Sequence, residues 1–228
     1  MNFKQIFDLS EDKKSLGNRF RSKRFDYFLK KIQKLDKPLR ILDLGGKVNF
    51  WENRGLAGNN DYQITLLNIE IEKSEYSNIK SNIGSATDLS EFKDHSIDLV
   101  HSNSVIEHLH NFENQKKMAQ EVIRVGKKYI IQTPNKYFFI EPHYLLPFFG
   151  YLPKSVKYWI LTKTKLSRLK KWDEKFAKQY IQEIRLISEK EMKILFPTSK
   201  IYFEKFLGMN KSFTVHDFQE ETSLKTSI

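Results

Sequence analysis

Hydrophobic positions along the chain obey two rhythms. Leu16, Phe20, Tyr27, Phe28, Ile32 and Leu35 recur at helical spacing and predict a helix over 11–35, which Pro38 separates from the first strand. Short apolar runs, with a third extended piece near 79–84, then predict strands at 39–44, 62–69 (YQITLLNI), 97–102 (IDLVHS) and 128–135 (KYIIQTPN). Between the last two, Met118, Ala119, Val122 and Ile123 form one helical face that Gly126 stops. Strands alternating with helices imply a parallel sheet wound by right-handed crossovers. Ligands on such sheets bind beyond the carboxyl ends of the strands. Asp43, Asn68, Ser85 and Asn103 are therefore expected on one rim.

The rhythm changes after residue 135. Residues 137–185 carry no strand signal but accommodate two helices, the second marked by Trp172, Phe176, Tyr180 and Ile184. SEKEMKILFP opens with a capping box, Ser188 to Glu191, and closes at Pro197. KIYFEKF (200–206) and KSFTVHDF (211–218) read as a hairpin turning through Gly208. The expected architecture is α/β: a Rossmann-like doubly wound sheet, mostly parallel, with a C-terminal antiparallel hairpin and a helical insertion after strand five. It divides into a basic helical segment (1–38), a core (39–136 and 186–218), the insertion (137–185) and a polar tail (219–228) of disordered composition.

Composition narrows the chemistry. With 228 residues, 39% of them hydrophobic, the chain buries a full core and fits one elaborated domain. It has no cysteine, which excludes disulfides, thiolate metal sites and cysteine nucleophiles, and no metal-ligand set is read from the sequence. MNFKQIFDLSEDKK does not resemble a secretion signal, so a cytoplasmic location is expected. The most apolar stretch, 137–153, is interrupted by Glu141, His143 and three prolines and is too short to span a bilayer. The net charge of +11 is uneven: residues 1–38 hold eleven Lys/Arg against five acids, and 154–178 hold nine against two. Such flanks suit nucleic acid, anionic lipid or an acidic substrate. A solvated helical surface is the plainer reading.

The first strand runs into RILDLGGKVNFW (40–51), where an acid and two glycines end an apolar run at a turn. The turn is neither G-x-G-x-x-G nor a P-loop. Together with the block GSATDLSEFKDHSIDLVHSNSVIEHL (84–109), the ordered motifs resemble those of class I S-adenosylmethionine-dependent methyltransferases, in particular their small-molecule type 11-like branch. The resemblance implies S-adenosylmethionine as cofactor. It sets Asp43, Gly45 and Gly46 at the methionine end, where glycines let the backbone approach closely. Asn68 stands where the family usually has a ribose-binding acid, with the carboxylate of Glu70 two residues on. Ser85 takes the position of the acid that reads adenine, the Ala86 amide faces the ring, and Asn103 borders the methyl group. Lys47 and Asn49 replace two glycines of the family's D-x-G-x-G-x-G.

Methyl transfer from a sulfonium needs chiefly alignment and exclusion of water, with a base where the acceptor must lose a proton. The candidate catalytic groups are His108, Glu141 and His143. The last two are polar groups in an apolar loop, expected to face a site or bond each other. Arg19, Arg21 and Arg24 are candidates for an anionic group. Tyr137, Phe139 and Tyr144 are the candidate substrate contacts, in an aromatic insertion that suits an apolar or ring-bearing small molecule or docking on an anionic membrane. A second small core is the simpler account of those aromatics. Nucleic acid is not an expected partner: SNSV stands where an N-P-P-[FY] motif would be, and the case rests on charge alone. The function read here is methyl transfer to a small-molecule acceptor (lipid, sugar or ring-bearing). A non-catalytic binding protein on the same fold and a basic RNA methyltransferase are the alternatives.

Overall fold

The computed structural model describes residues 16–219, with side chains from residue 20 onward. Arg19 and the tail after 219 lie outside the described side chains, as does the expected start of the first helix at 11. Helix α1 (Leu16–Ile32) leads into β1 (Leu39–Leu44), the short α2 (Val48–Glu52), β2 (Tyr62–Asn68), β3 (Ile79–Ile83) and β4 (Leu99–Asn103). A single 3-10 turn (Ile106–His108) precedes α3 (Phe112–Val125) and β5 (Tyr129–Pro134). The insertion contains β6 (Ile140–Glu141), β7 (Leu146–Pro147), α4 (Lys154–Lys163) and α5 (Glu174–Glu183). The chain closes with α6 (Glu189–Leu195), β8 (Lys200–Phe206) and β9 (Met209–His216).

The seven-stranded sheet has the order β3-β2-β1-β4-β5-β9-β8; β1 to β5 are parallel and β9 is antiparallel to both neighbours. This is the expected Rossmann-like architecture. Successive side chains of a strand point to opposite faces, so the apolar runs divide by parity. Ile41, Leu66, Leu99 and Ile130 join α1 and α2 in one core, through Phe25, Phe28, Ile32 and Trp51. Leu42, Leu67, Val100 and Ile131 join α3 and α6 in the other. Helix α1 is thus part of the main core.

Local chemistry explains the boundaries. Asn111 caps α3 by accepting from the Asn114 amide at 2.9 Å. Ser188 and Glu191 form the expected capping box of α6. Leu207 and Gly208, both at positive φ, make the two-residue turn that right-handed hairpin twist favours, so β9 begins at 209 instead of 211. Two expectations are corrected. Ile123 is exposed while Val125 is buried, which rotates the apolar face of α3 slightly. The insertion, read as free of strands, holds the small β6–β7 hairpin. It also has a core of its own, built from Tyr144, Phe149, Leu161, Trp172, Ala177 and Ile181. Among the described residues no helix is long and apolar enough to cross a membrane.

Candidate functional site

The turn after β1 is organised by Asp43, which shares its sheet face with the core against α1 and α2. Register sets Asp43 opposite His101 of β4, and parity directs both toward α2. The His101 Nδ1 lies 2.7 Å from Asp43 Oδ1, and Trp51 Nε1 donates to Oδ2 at 2.8 Å. Both carboxylate oxygens are thus engaged by protein, and Asp43 is buried. This packing requires the glycines: a Cβ on Gly46 would sit 1.8 Å from Asp43 Oδ2, and one on Gly45, at φ +72°, would meet Val105 Cγ2 at 2.4 Å. Asn68, at the end of β2, donates from Nδ2 to the Gly46 carbonyl at 2.8 Å and braces the turn from the other side.

A cavity of about 640 Å³ opens beyond the carboxyl ends of β1, β4 and β5. Gly45, Gly46, Asn103, Ser104 and Gln132 line its floor, and Phe138, Ile140 and Pro142 of the insertion cover it. One wall comes from elements far apart in sequence. Arg24 of α1 donates to Glu204 Oε2 and to Asn103 Oδ1, both at 2.7 Å. Glu204 also accepts from Lys211 Nζ at 2.9 Å. Burial works to raise the Glu204 carboxyl, but the charges of Arg24 and Lys211 outweigh it and hold the group below its ordinary value. Burial lowers the Lys211 ammonium against the pull of Glu204.

The opposite wall carries His108 and His143, whose rings stand 5.0 Å apart at 77°. Each Nδ1 is tied to a carboxylate: His108 to Glu183 at 2.7 Å, His143 to Glu141 at 2.6 Å. Beside carboxylates these nitrogens act as donors, which leaves Nε2 as the open position on each ring. Glu141 also accepts from the Tyr144 amide at 3.0 Å. Behind the rings lies Glu107, fully buried; its Oε2 accepts from Thr133 Oγ1 at 3.0 Å and its Oε1 has no partner. Burial pushes the Glu107 carboxyl up, against the pull of His143 and His108. For His143, burial works downward but is outweighed by the Glu141 hydrogen bond and charge, so the imidazole is held above its ordinary value.

Six of the sequence candidates therefore meet at one cavity: Asp43, Gly45, Gly46, Asn103, His108 and His143. Arg21 and Arg24 join them. Glu141 does not reach it and instead orients His143. Asn68, Glu70, Ser85 and Ala86 lie on the adjoining rim at the ends of β2 and β3, outside the cavity lining. Ser85 bonds Thr87 Oγ1 at 2.8 Å, Glu70 is exposed, and Ala86 packs against the core on the α3 side. The substrate contacts need correction. The chain turns at 136–137 and bends at 139 before β6, which leaves Phe138 and Ile140 in the lining, Tyr137 exposed and Phe139 outside it. Tyr144 is buried in the insertion's own core.

His101, Glu107, Gln132, Glu204 and Lys211 were not anticipated. A histidine inside the apolar run IDLVHS and an acid beside His108 were legible signals. Glu204 and Lys211 carry no local signal, because their partner Arg24 is 180 positions from Glu204.

No curated protein matches the chain in sequence. Among solved structures it is similar to a SAM-dependent methyltransferase from Methanosarcina mazei (17% identity, 81% of this chain and 93% of that one, TM-score 0.49). It is similar also to a SAM-dependent methyltransferase from Aquifex aeolicus (12% identity, 84% and 87%, TM-score 0.47). A Galdieria sulphuraria protein provisionally named as a sarcosine dimethylglycine methyltransferase is matched at 22% identity, TM-score 0.43, over 56% of this chain and only 50% of its own length. A family model described as a methyltransferase domain matches residues 59–198, more than half of the chain. Its span takes in the block 84–109 on which the motif order rests, and with the strand order β3-β2-β1-β4-β5-β9-β8 it settles the family: the chain belongs to the methyltransferase-domain family, as a class I S-adenosylmethionine-dependent enzyme.

Proposed function

We propose that this enzyme methylates a small-molecule acceptor held in the cavity between the Gly45-Gly46 turn and the insertion. The observation that carries the reading is the cavity itself. At about 640 Å³ it has the size of a small-molecule site, and it joins apolar cover (Phe138, Ile140, Pro142) to polar groups at its floor. A nucleic-acid surface would be more open and would track a backbone with cations.

The residues present fit the cofactor's methionine end. The turn is free of side chains at Gly45 and Gly46, and the basic groups Arg21 and Lys47 line the same space and complement a carboxylate. At the ribose end Asn68 is committed to the turn, so Glu70 is the carboxylate available to the hydroxyls. Bound S-adenosylmethionine supplies an already activated methyl group, transferred by in-line displacement. The chain's own part is to align the acceptor against Asn103 and Ser104, exclude water with the insertion, and offer His108 and His143 to an acceptor proton.

The reading extends to an acceptor drawn from an anionic membrane surface. Support comes from Phe148, Trp159, Leu166 and Leu169 of the insertion, all well exposed beside its basic run. Sedimentation with vesicles of phosphatidylglycerol should retain the protein, and phosphatidylcholine vesicles should not. Equal partition into both would remove this extension.

Titration with S-adenosylhomocysteine by calorimetry, on protein checked for carried-over cofactor, tests the main reading. Micromolar binding that Asp43→Ala abolishes, followed by turnover of small acceptors in a screen, supports it. No binding by the folded protein would favour a binding protein on this fold. Turnover of RNA alone, falling steeply with salt, would overturn the small-molecule acceptor.

A further inference from the structure

The second wall of the cavity holds more than a pair of bases. Glu107, His108 and His143 each offer one ligating atom, and these atoms all lie within 4.8 Å of one another. Two independent features of their surroundings point the same way. Glu107 is fully buried, yet its Oε1 hydrogen-bonds to nothing, including the two imidazoles beside it. Leaving a buried carboxylate oxygen unpaired is costly, and a bound ion is one of the few things that relieves it. Both histidines have Nδ1 fixed by outer carboxylates, Glu183 and Glu141, at 2.7 and 2.6 Å. That is how metal-ligating imidazoles are held, with tautomer and ring plane set so that Nε2 faces the ion.

We infer that Glu107, His108 and His143 form a binding site for a divalent first-row transition-metal ion, with an open coordination position facing the acceptor cavity. Two imidazoles and one carboxylate suit zinc, manganese or iron, and the absence of cysteine removes the softer sets. Glu107 and His108 come from the 3-10 turn after β4, and His143 from the loop after β6. The ion therefore ties the insertion to the core.

The open position assigns a substrate class: an acceptor with an oxygen ligand, a hydroxyl or enol. This part rests on the methyl-transfer reading. With the ion bound, both Nε2 atoms are ligands and no longer bases, so a hydroxyl there gives its proton to solvent, more readily than it does free in water. Its oxygen then bonds the methyl carbon as the carbon–sulfur bond breaks, and the electron pair returns to sulfur.

The test is titration of chelator-treated full-length protein with Zn²⁺ by calorimetry, and with Co²⁺ by visible absorption. One equivalent should bind. Glu107→Gln, which keeps the acceptor for Thr133, and His143→Gln should each weaken binding about a hundredfold or more, and Glu183→Gln by about ten- to a hundredfold. His110→Ala, an exposed histidine outside the cluster, should change nothing. Thermal melts and S-adenosylhomocysteine binding check that each variant is folded. No stoichiometric binding by protein that binds S-adenosylhomocysteine, or equal binding in wild type and both inner variants, would overturn the site. Loss of S-adenosylhomocysteine binding with metal binding intact would instead remove the methyl-transfer reading and leave the metal site standing.

Discussion

Gly46→Ala is the sharpest probe of the turn. The added methyl would lie 1.8 Å from Asp43 Oδ2, and Gly46 has no positive φ to complicate the result. The clash is with a side-chain end, so the carboxylate must swing away, surrendering the Trp51 bond and distorting the His101 bond. Hydrogen bonds to a charged group contribute about 1.5–3 kcal/mol each, so losing one and part of another costs about 3 kcal/mol. For a chain of this size that corresponds to a fall in melting temperature of about 9 °C. Urea denaturation gives the free energy, and calorimetry with S-adenosylhomocysteine reads the site, where affinity should fall with the turn. Gly55→Ala is the control: nothing lies within 4 Å, but φ is +70°, so it should cost about 1–2 kcal/mol and leave affinity unchanged. In an Asp43→Ala background the Gly46→Ala cost should shrink, since the oxygen at 1.8 Å is gone and only the Cβ at position 43, 2.9 Å away, remains. A Gly46→Ala protein within about 0.5 kcal/mol of wild type would refute the idea that this carboxylate shapes the turn.

Other perturbations reach the remaining supports of the site. Asn68→Asp restores the family's usual acid but loses the donor to the Gly46 carbonyl; it should destabilise by about 1–2 kcal/mol in thermal melts. Arg24→Ala leaves the buried Glu204 paired with Lys211 alone. Breaking a buried pair costs about 3–5 kcal/mol, and Lys211 offsets part of that, so about 2 kcal/mol is expected by denaturation. Asp98 is held well below the ordinary carboxylate value: burial works upward but is outweighed by the Arg40 and Lys127 hydrogen bonds. Its folded value is the lower one, so its contribution is complete above about pH 4 and fades as pH falls further. Melts of Asp98→Asn should therefore lie below wild type at neutral pH and converge with it in strong acid.

Sequence alone determined the sheet. Apolar runs bounded by turn residues located β1, β2, β4 and β5 nearly to the residue, because a central strand covered on both faces must be apolar along most of its length. The capping box at Ser188 and the glycine turn after Leu44 were legible for a similar reason: each is a local solution to a local backbone need. The motif order then led to the family. What sequence could not decide was which rim residues meet. Asn68 and Asp43 share the rim, yet one braces the turn and the other is sealed between His101 and Trp51. Tyr137 and Phe139 yield their expected place to Phe138 and Ile140 because the chain turns and bends through 136–139 on its way into β6. Tyr144 goes to a core that forms only when α4 and α5 close over it. The Arg24–Glu204–Lys211 wall and the Glu107–His108–His143 cluster join segments with no pattern in common. Polar groups of that kind are specified by desolvation and pairing across the folded molecule, forces that act at contact distance and leave no periodicity in the chain.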